Sequence, residues 1–134
     1  MANEAVIVNL LGNGGDPVDG TVLNANAFEK GTVMILSGQR TISGSTTMSE
    51  VPFGIAAAEK EASDGSTNLA CYTHVIADLV CQGADGGILA GQMVVLSGAN
   101  TISGATSLTD PKLILGKALE DGVNGARCEV LIRL

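Results

Sequence analysis

The chain is short of aromatic residues: Phe28, Phe53 and Tyr72 are the only three among 134 residues, and there is no Trp. A stacking platform for bases or sugars is therefore not expected, and any core must be built from Val, Ile, Leu, Ala and Met. There is a single histidine, His74. Metal sites and nucleophile–base pairs that draw on imidazole are limited to that one side chain. Basic residues are scarce too. Seven Lys and Arg against 14 Asp and Glu leave a net charge of -7, which repels phosphate backbones and anionic lipid, so neither a nucleic acid nor a membrane surface is an expected partner. No apolar run approaches the roughly 20 residues that cross a bilayer. The N-terminus lacks a basic region ahead of its short apolar run and does not read as a secretory signal. Three widely spaced cysteines, Cys71, Cys81 and Cys128, make no disulfide framework and suit buried, reduced thiols.

What is present is glycine, at 18 positions, and a repeat. Residues 31–49 align with residues 91–109 at an offset of 60, with 9 of the 19 pairs identical. Both copies contain Leu-Ser-Gly-x-x-Thr-Ile-Ser-Gly-x-Thr, and both run on to a proline (Pro52, Pro111) and a glycine (Gly54, Gly116). Two copies of such a period are too few and too long for a solenoid; two halves of a β-barrel or β-sandwich fit. Residues 32–36 and 92–96 are short, apolar and rich in β-branched side chains. Each run ends at Ser-Gly, where glycine could supply the positive φ of a tight turn. At the C-terminus Cys128, Val130, Ile132 and Leu134 alternate with Arg127, Glu129 and Arg133, the period of a half-buried strand, with Leu131 breaking the alternation. Asp64-Gly65 and Asp121-Gly122 read as turns.

These patterns predict an all-β chain: a compact β-barrel or β-sandwich built from two internally duplicated Gly-rich β units, with an extended N-terminal arm. The division expected is residues 1–30 as arm or first strand with a Gly-rich loop at 12–17, and residues 31–134 as one β domain of two repeats, about 31–80 and 91–134. Residues 56–62 contain strong helix formers, yet a strand of small side chains is the preferred reading, because so short a helix is marginal.

The search for chemistry returns weak signals. Cys71 and His74 are three apart, so on one extended strand they face opposite sides. A thiol–imidazole dyad would need a bulge there, and a small cysteine hydrolase using them stands only as an alternative. No Cys-x-x-Cys accompanies them, and no metal is expected. Glu59 and Glu61 share a face if extended, but with Lys60 beside them they read as a solvated edge. Glycines 12, 14 and 15 lack a dinucleotide fingerprint, and Gly116-Lys117 lacks the rest of a phosphate loop. No cofactor is expected, and no catalytic residue.

The rhythm of a glycine and an apolar run ending in Leu (Gly-x-Val-x-x-Leu at 31–36, Gly-x-x-Val-x-Leu at 91–96), a short turn, Pro-x-Gly-Ile-Ala, an acidic Asp-Gly turn and a final Val-Ile strand runs through residues 31–79 and is echoed from Gly91 onward. In this the chain resembles the small decoration, or cement, proteins that coat the capsids of tailed bacteriophages. The resemblance implies a non-enzymatic virion protein, assembled in the host cytoplasm, that seats on the outer surface of an expanded head. It also implies that the major capsid protein is the partner, that a homo-oligomer, favoured as a trimer, is the working form, and that the bound module reinforces the shell against genome pressure. A tail or head-fibre component is the alternative. The sequence departs from the commoner single-unit form by carrying its unit twice. The apolar residues Val6, Ile7, Val8, Leu10 and Leu11 are the expected capsid or oligomer contact, reaching a neighbour by strand addition; the other reading makes them an ordinary first strand.

Overall fold

The computed structural model describes residues 3–12, 16–82, 87–106 and 109–134. The described residues form eleven strands and one 3₁₀ turn, Pro111–Leu113, with no α-helix among them. Strands β2 (Val18–Thr21), β3 (Val33–Gly38), β4 (Thr41–Gly44), β5 (Pro52–Ala56) and β6 (Asn68–Tyr72) close into a barrel in the order β2-β4-β3-β5-β6. Strands β7 (His74–Cys81), β8 (Met93–Gly98), β9 (Thr101–Gly104), β10 (Ile114–Ala118) and β11 (Arg127–Arg133) pair in the corresponding way, β7-β11-β10-β8-β9, and close through β7–β9. In both barrels the closing pair is parallel and the others are antiparallel. Closure removes free sheet edges.

The unit that is duplicated is thus a whole five-stranded barrel, and strand pairing draws its limits differently from the division expected above. The first barrel begins at β2, within residues 1–30, and ends at Tyr72; the second begins at His74, with only Thr73 between them. What reads as one last strand of a first repeat is two strands belonging to different barrels. The register explains why β2 is hard to see as a repeat. Gly20 pairs with Leu69 in the first barrel, where Leu79 pairs with Cys128 in the second. Large and small residues have exchanged places across the pair, and a Cβ on Gly20 would lie 2.5 Å from Ile42 Cδ1. Core volume is kept while sequence identity is lost.

Strand β1 (Val6–Leu10) joins the second barrel's sheet. It pairs antiparallel with the N-terminal half of β7, with a bulge between Ile7 and Asn9, while β9 takes the C-terminal half of the same edge. The Ala5 N–H donates to Gly31 O at 2.8 Å, and Arg127 Nη1 donates to the carbonyls of Glu4 and Asp78. The N-terminal segment therefore straps the first barrel to the second. The Gly-rich stretch expected at 12–17 lies partly outside the described residues.

Several local expectations change. In the two hairpin turns the positive φ falls on Arg40 (49°) and Asn100 (58°), not on the glycines that precede them. Residues 56–62 are neither helix nor continuous strand: Ala56 ends β5, and Lys60 makes an isolated bridge to Phe28. Cys128, Val130 and Ile132 are fully buried as their alternation predicts, but Leu134 lies beyond the strand and is exposed.

Each interior is apolar and almost free of aromatics. Met34, Ile42, Val22, Phe28, Leu69 and Cys71 pack inside the first barrel. A second cluster fills the other barrel with Leu79, Val94, Leu96, Ile102, Leu115 and Ile132, and continues across the junction to Val33, Ile35 and Ile55. Those three point out of the first barrel, since strand side chains alternate between faces. The second barrel's core thus runs on into the junction, while the first barrel's interior stays a cluster of its own.

Candidate interaction surface

Cys71 and His74 do not form a site. The Cys71 thiol is sealed inside the first barrel, 3.9 Å from Leu69 O. Burial first, and the nearby Asp19 charge second, push its pKa up to about 12, so it is not a thiolate near neutrality. His74 opens β7 in the other barrel, half-buried opposite Arg133. Cys81 and Cys128 are also buried and free, both packed against Gly122. Burial pushes Cys128 up to about 12 and raises Cys81. Among the described residues no group of three His, Cys, Asp or Glu side chains is placed to hold a metal ion.

Glu59 and Glu61 are exposed, as expected of a solvated edge, but Lys60 between them is not. Its side chain is buried; Nζ donates to the carbonyls of Asn24, Asn26 and Glu61 at 2.8–3.0 Å and pairs with Asp64 at 3.1 Å. Lys60 is a buried cationic staple for the loop between β2 and β3. The Ser66 backbone N–H, and then Lys60, hold the Asp64 carboxyl below its usual range. Nearby, a hydrogen bond from the Glu29 carboxyl to that of Glu4, and then the Glu4 charge, raise Glu29 above its ordinary value. Glu29, Glu59, Lys60 and Glu61 border a cleft of about 260 Å³ together with Phe28 and Thr32. A cleft of about 640 Å³ on the second barrel is bordered by small and polar residues such as Gln82, Gln92, Ser97, Thr101 and Ser103, with Met48 from the first.

What the surface does carry is apolar side chains. Along β1, Val6, Val8 and Leu10 are 52%, 45% and 42% exposed, while Ile7 packs on the core and Leu11 is half-buried, its N–H donating to His74 O at 3.2 Å. The predicted contact residues thus divide between exposed side chains and a packed one, and the bulge after Ile7 puts Leu10, opposite Val75, on the same face of the sheet as Ile7, opposite Ala77. Leu89, Leu119 and Val123 are exposed at one end of the second barrel. Leu36 on the first barrel and Met93 on the second are exposed as well.

The junction between the barrels is built differently. Asn100, at the tip of the β8–β9 turn, is fully buried against the first barrel. Its Oδ1 accepts the Val33 N–H at 2.8 Å, and its own N–H donates to Ser45 Oγ at 3.0 Å. Beside it the Ser49 N–H donates to Leu96 O at 3.2 Å. Sequence reasoning missed Asn100. Its signal is the change from Gln39-Arg40 to Ala99-Asn100 inside an otherwise repeated turn.

The fold defines a class: a tandem of two closed five-stranded β-barrels with an added N-terminal strand and apolar outer patches. Among solved structures it is similar to the head fibre gp8.5 N base of bacteriophage phi29, with a TM-score of 0.50 and 16% identity, over 87% of this chain and 92% of that one. At that identity the likeness is one of fold. No family model matches the chain, and no curated protein sequence matches it.

Proposed function

We propose that this chain is a bacteriophage structural protein that binds the outer surface of an expanded head and reinforces it, acting through contact with the major capsid protein and not through a reaction. The observation that carries the reading is the likeness of fold, over most of both chains, to the head fibre gp8.5 N base of bacteriophage phi29. The exposed side chains of Val6, Val8 and Leu10 support it, because exposed apolar patches mark contact surfaces. We assign these side chains to the shell. A module that binds only the expanded lattice stabilises it by about 2.7 kcal/mol per site at a hundredfold excess over the dissociation constant, and a head offers many such sites.

The same likeness favours a second reading, that the chain is the base of a head fibre and attaches without reinforcing. One experiment separates them. Purified protein is mixed with undecorated expanded heads; binding is read by co-sedimentation, and the temperature of genome release is measured with and without it. Binding with a raised release temperature is the expected result. Binding without that rise favours the fibre base, and no binding overturns both.

A further inference from the structure

The contact between the two barrels is not symmetric. The second barrel offers its leading end: the β8–β9 turn with Asn100, and the Leu96 carbonyl. The first offers its trailing face: Val33, Ile35 and Ile55, with Ser45 and Ser49 at the rim. In a two-fold arrangement both would present the same surface. Here each uses a different one, so each barrel keeps an unused half: the leading end of the first and the trailing face of the second.

Strand register identifies those halves residue by residue. Val33 pairs with Ile55 as Met93 pairs with Lys117, and Gly38 pairs with Thr41 as Gly98 pairs with Thr101. Where the barrel interior is concerned the copies agree, Met34 and Val94 both being fully buried. They part at the junction positions. Val33 is 0% exposed and Met93 44%; Leu96 is 1% exposed and Leu36 41%. Asn100 is buried and Arg40 is exposed. The unused halves therefore leave Leu36 and Met93 in water where the same fold covers their counterparts elsewhere in the chain, and the second trailing face carries the exposed Lys117 in place of Ile55.

We infer that a second copy of this chain covers them: the leading end of the first barrel, Leu36 and the Gln39-Arg40 turn, docks on the trailing face of the second barrel, Met93 and Val95, in the next copy. Repeating the intrachain contact between chains makes a head-to-tail interface, which closes into a ring or runs on as a filament according to the rotation per step. The polar clamp is not reproduced, because Arg40 offers no side-chain acceptor and Ala105 stands where Ser45 donates and accepts. The joint between chains rests on Leu36, Met93 and Val95, brings the cations Arg40 and Lys117 to the same interface, and is weaker than the joint within one. This inference stands on the pairing and exposure of the two barrels, independently of the capsid reading.

The test uses the full chain and two variants, Leu36→Glu and Met93→Glu, each at an exposed position, with circular dichroism to verify that the strands remain. Sedimentation velocity should show wild-type assemblies of several chains, and each variant alone should associate at least tenfold more weakly. A head-to-tail interface has a further signature. Leu36→Glu keeps a sound trailing face and Met93→Glu a sound leading end, so an equal mixture should form two-chain complexes and stop there. As an independent measurement, Arg40→Cys combined with Ala105→Cys should cross-link into ladders on oxidation, while either alone should not extend past pairs. A wild-type chain that stays monomeric at every concentration, assembly indifferent to both glutamates, or a mixture that forms no pairs would overturn the inference.

Discussion

Asn100 Oδ1 accepts the Val33 backbone N–H at 2.8 Å across the junction of the two barrels. Val33 is fully buried, so water cannot replace the lost acceptor. Asn100→Ala should cost about 1–3 kcal/mol in urea unfolding, the penalty of a buried unpaired donor. Asn100→Gly accommodates the positive φ and removes only the amide. A glycine variant as stable as wild type would show that the clamp contributes nothing.

Lys60 is expected to matter more than its place between two exposed glutamates suggests. Lys60→Met removes the Nζ donor from the Asn24 and Asn26 carbonyls, of which Asn24 O keeps the Ser63 N–H, and should lower stability by about 1–3 kcal/mol. Its partner Asp64 sets a pH dependence. The folded pKa of Asp64 lies below the unfolded value of 3.8, so its contribution is present above that value and is lost as pH falls through the folded one. Asp64→Asn should therefore lower the Tm near neutrality and leave it unchanged in strongly acidic solution. An equal difference at both ends would refute the linkage.

Gly54 and Gly116 occupy the same place in the two barrels, pairing with Met34 and Val94. A Cβ on Gly54 would sit 2.6 Å from Tyr72 O, and one on Gly116 would meet Leu131 O. Either alanine variant should lose about 1–3 kcal/mol through overpacking against backbone. Gly65, at φ +85° with nothing within 4 Å of its notional Cβ, is the contrasting case. Its alanine variant should lose only about 1–2 kcal/mol, from the left-handed backbone. Chemical denaturation of the three variants makes the comparison.

The three thiols should be silent in the folded protein. All are buried, and burial pushes Cys71 and Cys128 up to about 12. A disulfide reagent near neutral pH should label none of them until denaturant is added, and then all three. Rapid labelling of Cys71 in the native state would reopen thiol chemistry.

The exposed side chains of β1 allow attachment to be separated from folding. Val6→Ser, Val8→Ser and Leu10→Ser, combined, should reduce co-sedimentation with expanded heads and leave the Tm nearly unchanged. Ile7→Ser should do the reverse, because Ile7 packs on the core. Deleting residues 1–12 is less clean, since it also uncovers the β7 edge. Unchanged attachment of the triple variant would move the shell contact elsewhere.

Much of the strand content is legible from local pattern. The repeated turn marks β3, β4, β8 and β9, and alternation marks β11, because side-chain direction along a strand depends only on neighbours in the chain. The limits of the repeat are less legible. Gly20 and Leu79 hold equivalent places but differ in size, and the compensation lies across the pair, in Leu69 and Cys128. Lys60 reads as exposed because its acceptors, the carbonyls of Asn24 and Asn26, belong to a distant loop.

By itself the sequence determined that the chain is built from β-strands, that it carries one unit twice, and that its cores are aliphatic. Those properties follow from composition and short-range periodicity. Only the tertiary structure decided that each unit closes on itself, that the first strand serves the second barrel, and that Val33 is buried while Met93 is not. Exposure at such positions depends on which surface another barrel covers, and that is a relation between distant segments that no local window of residues contains.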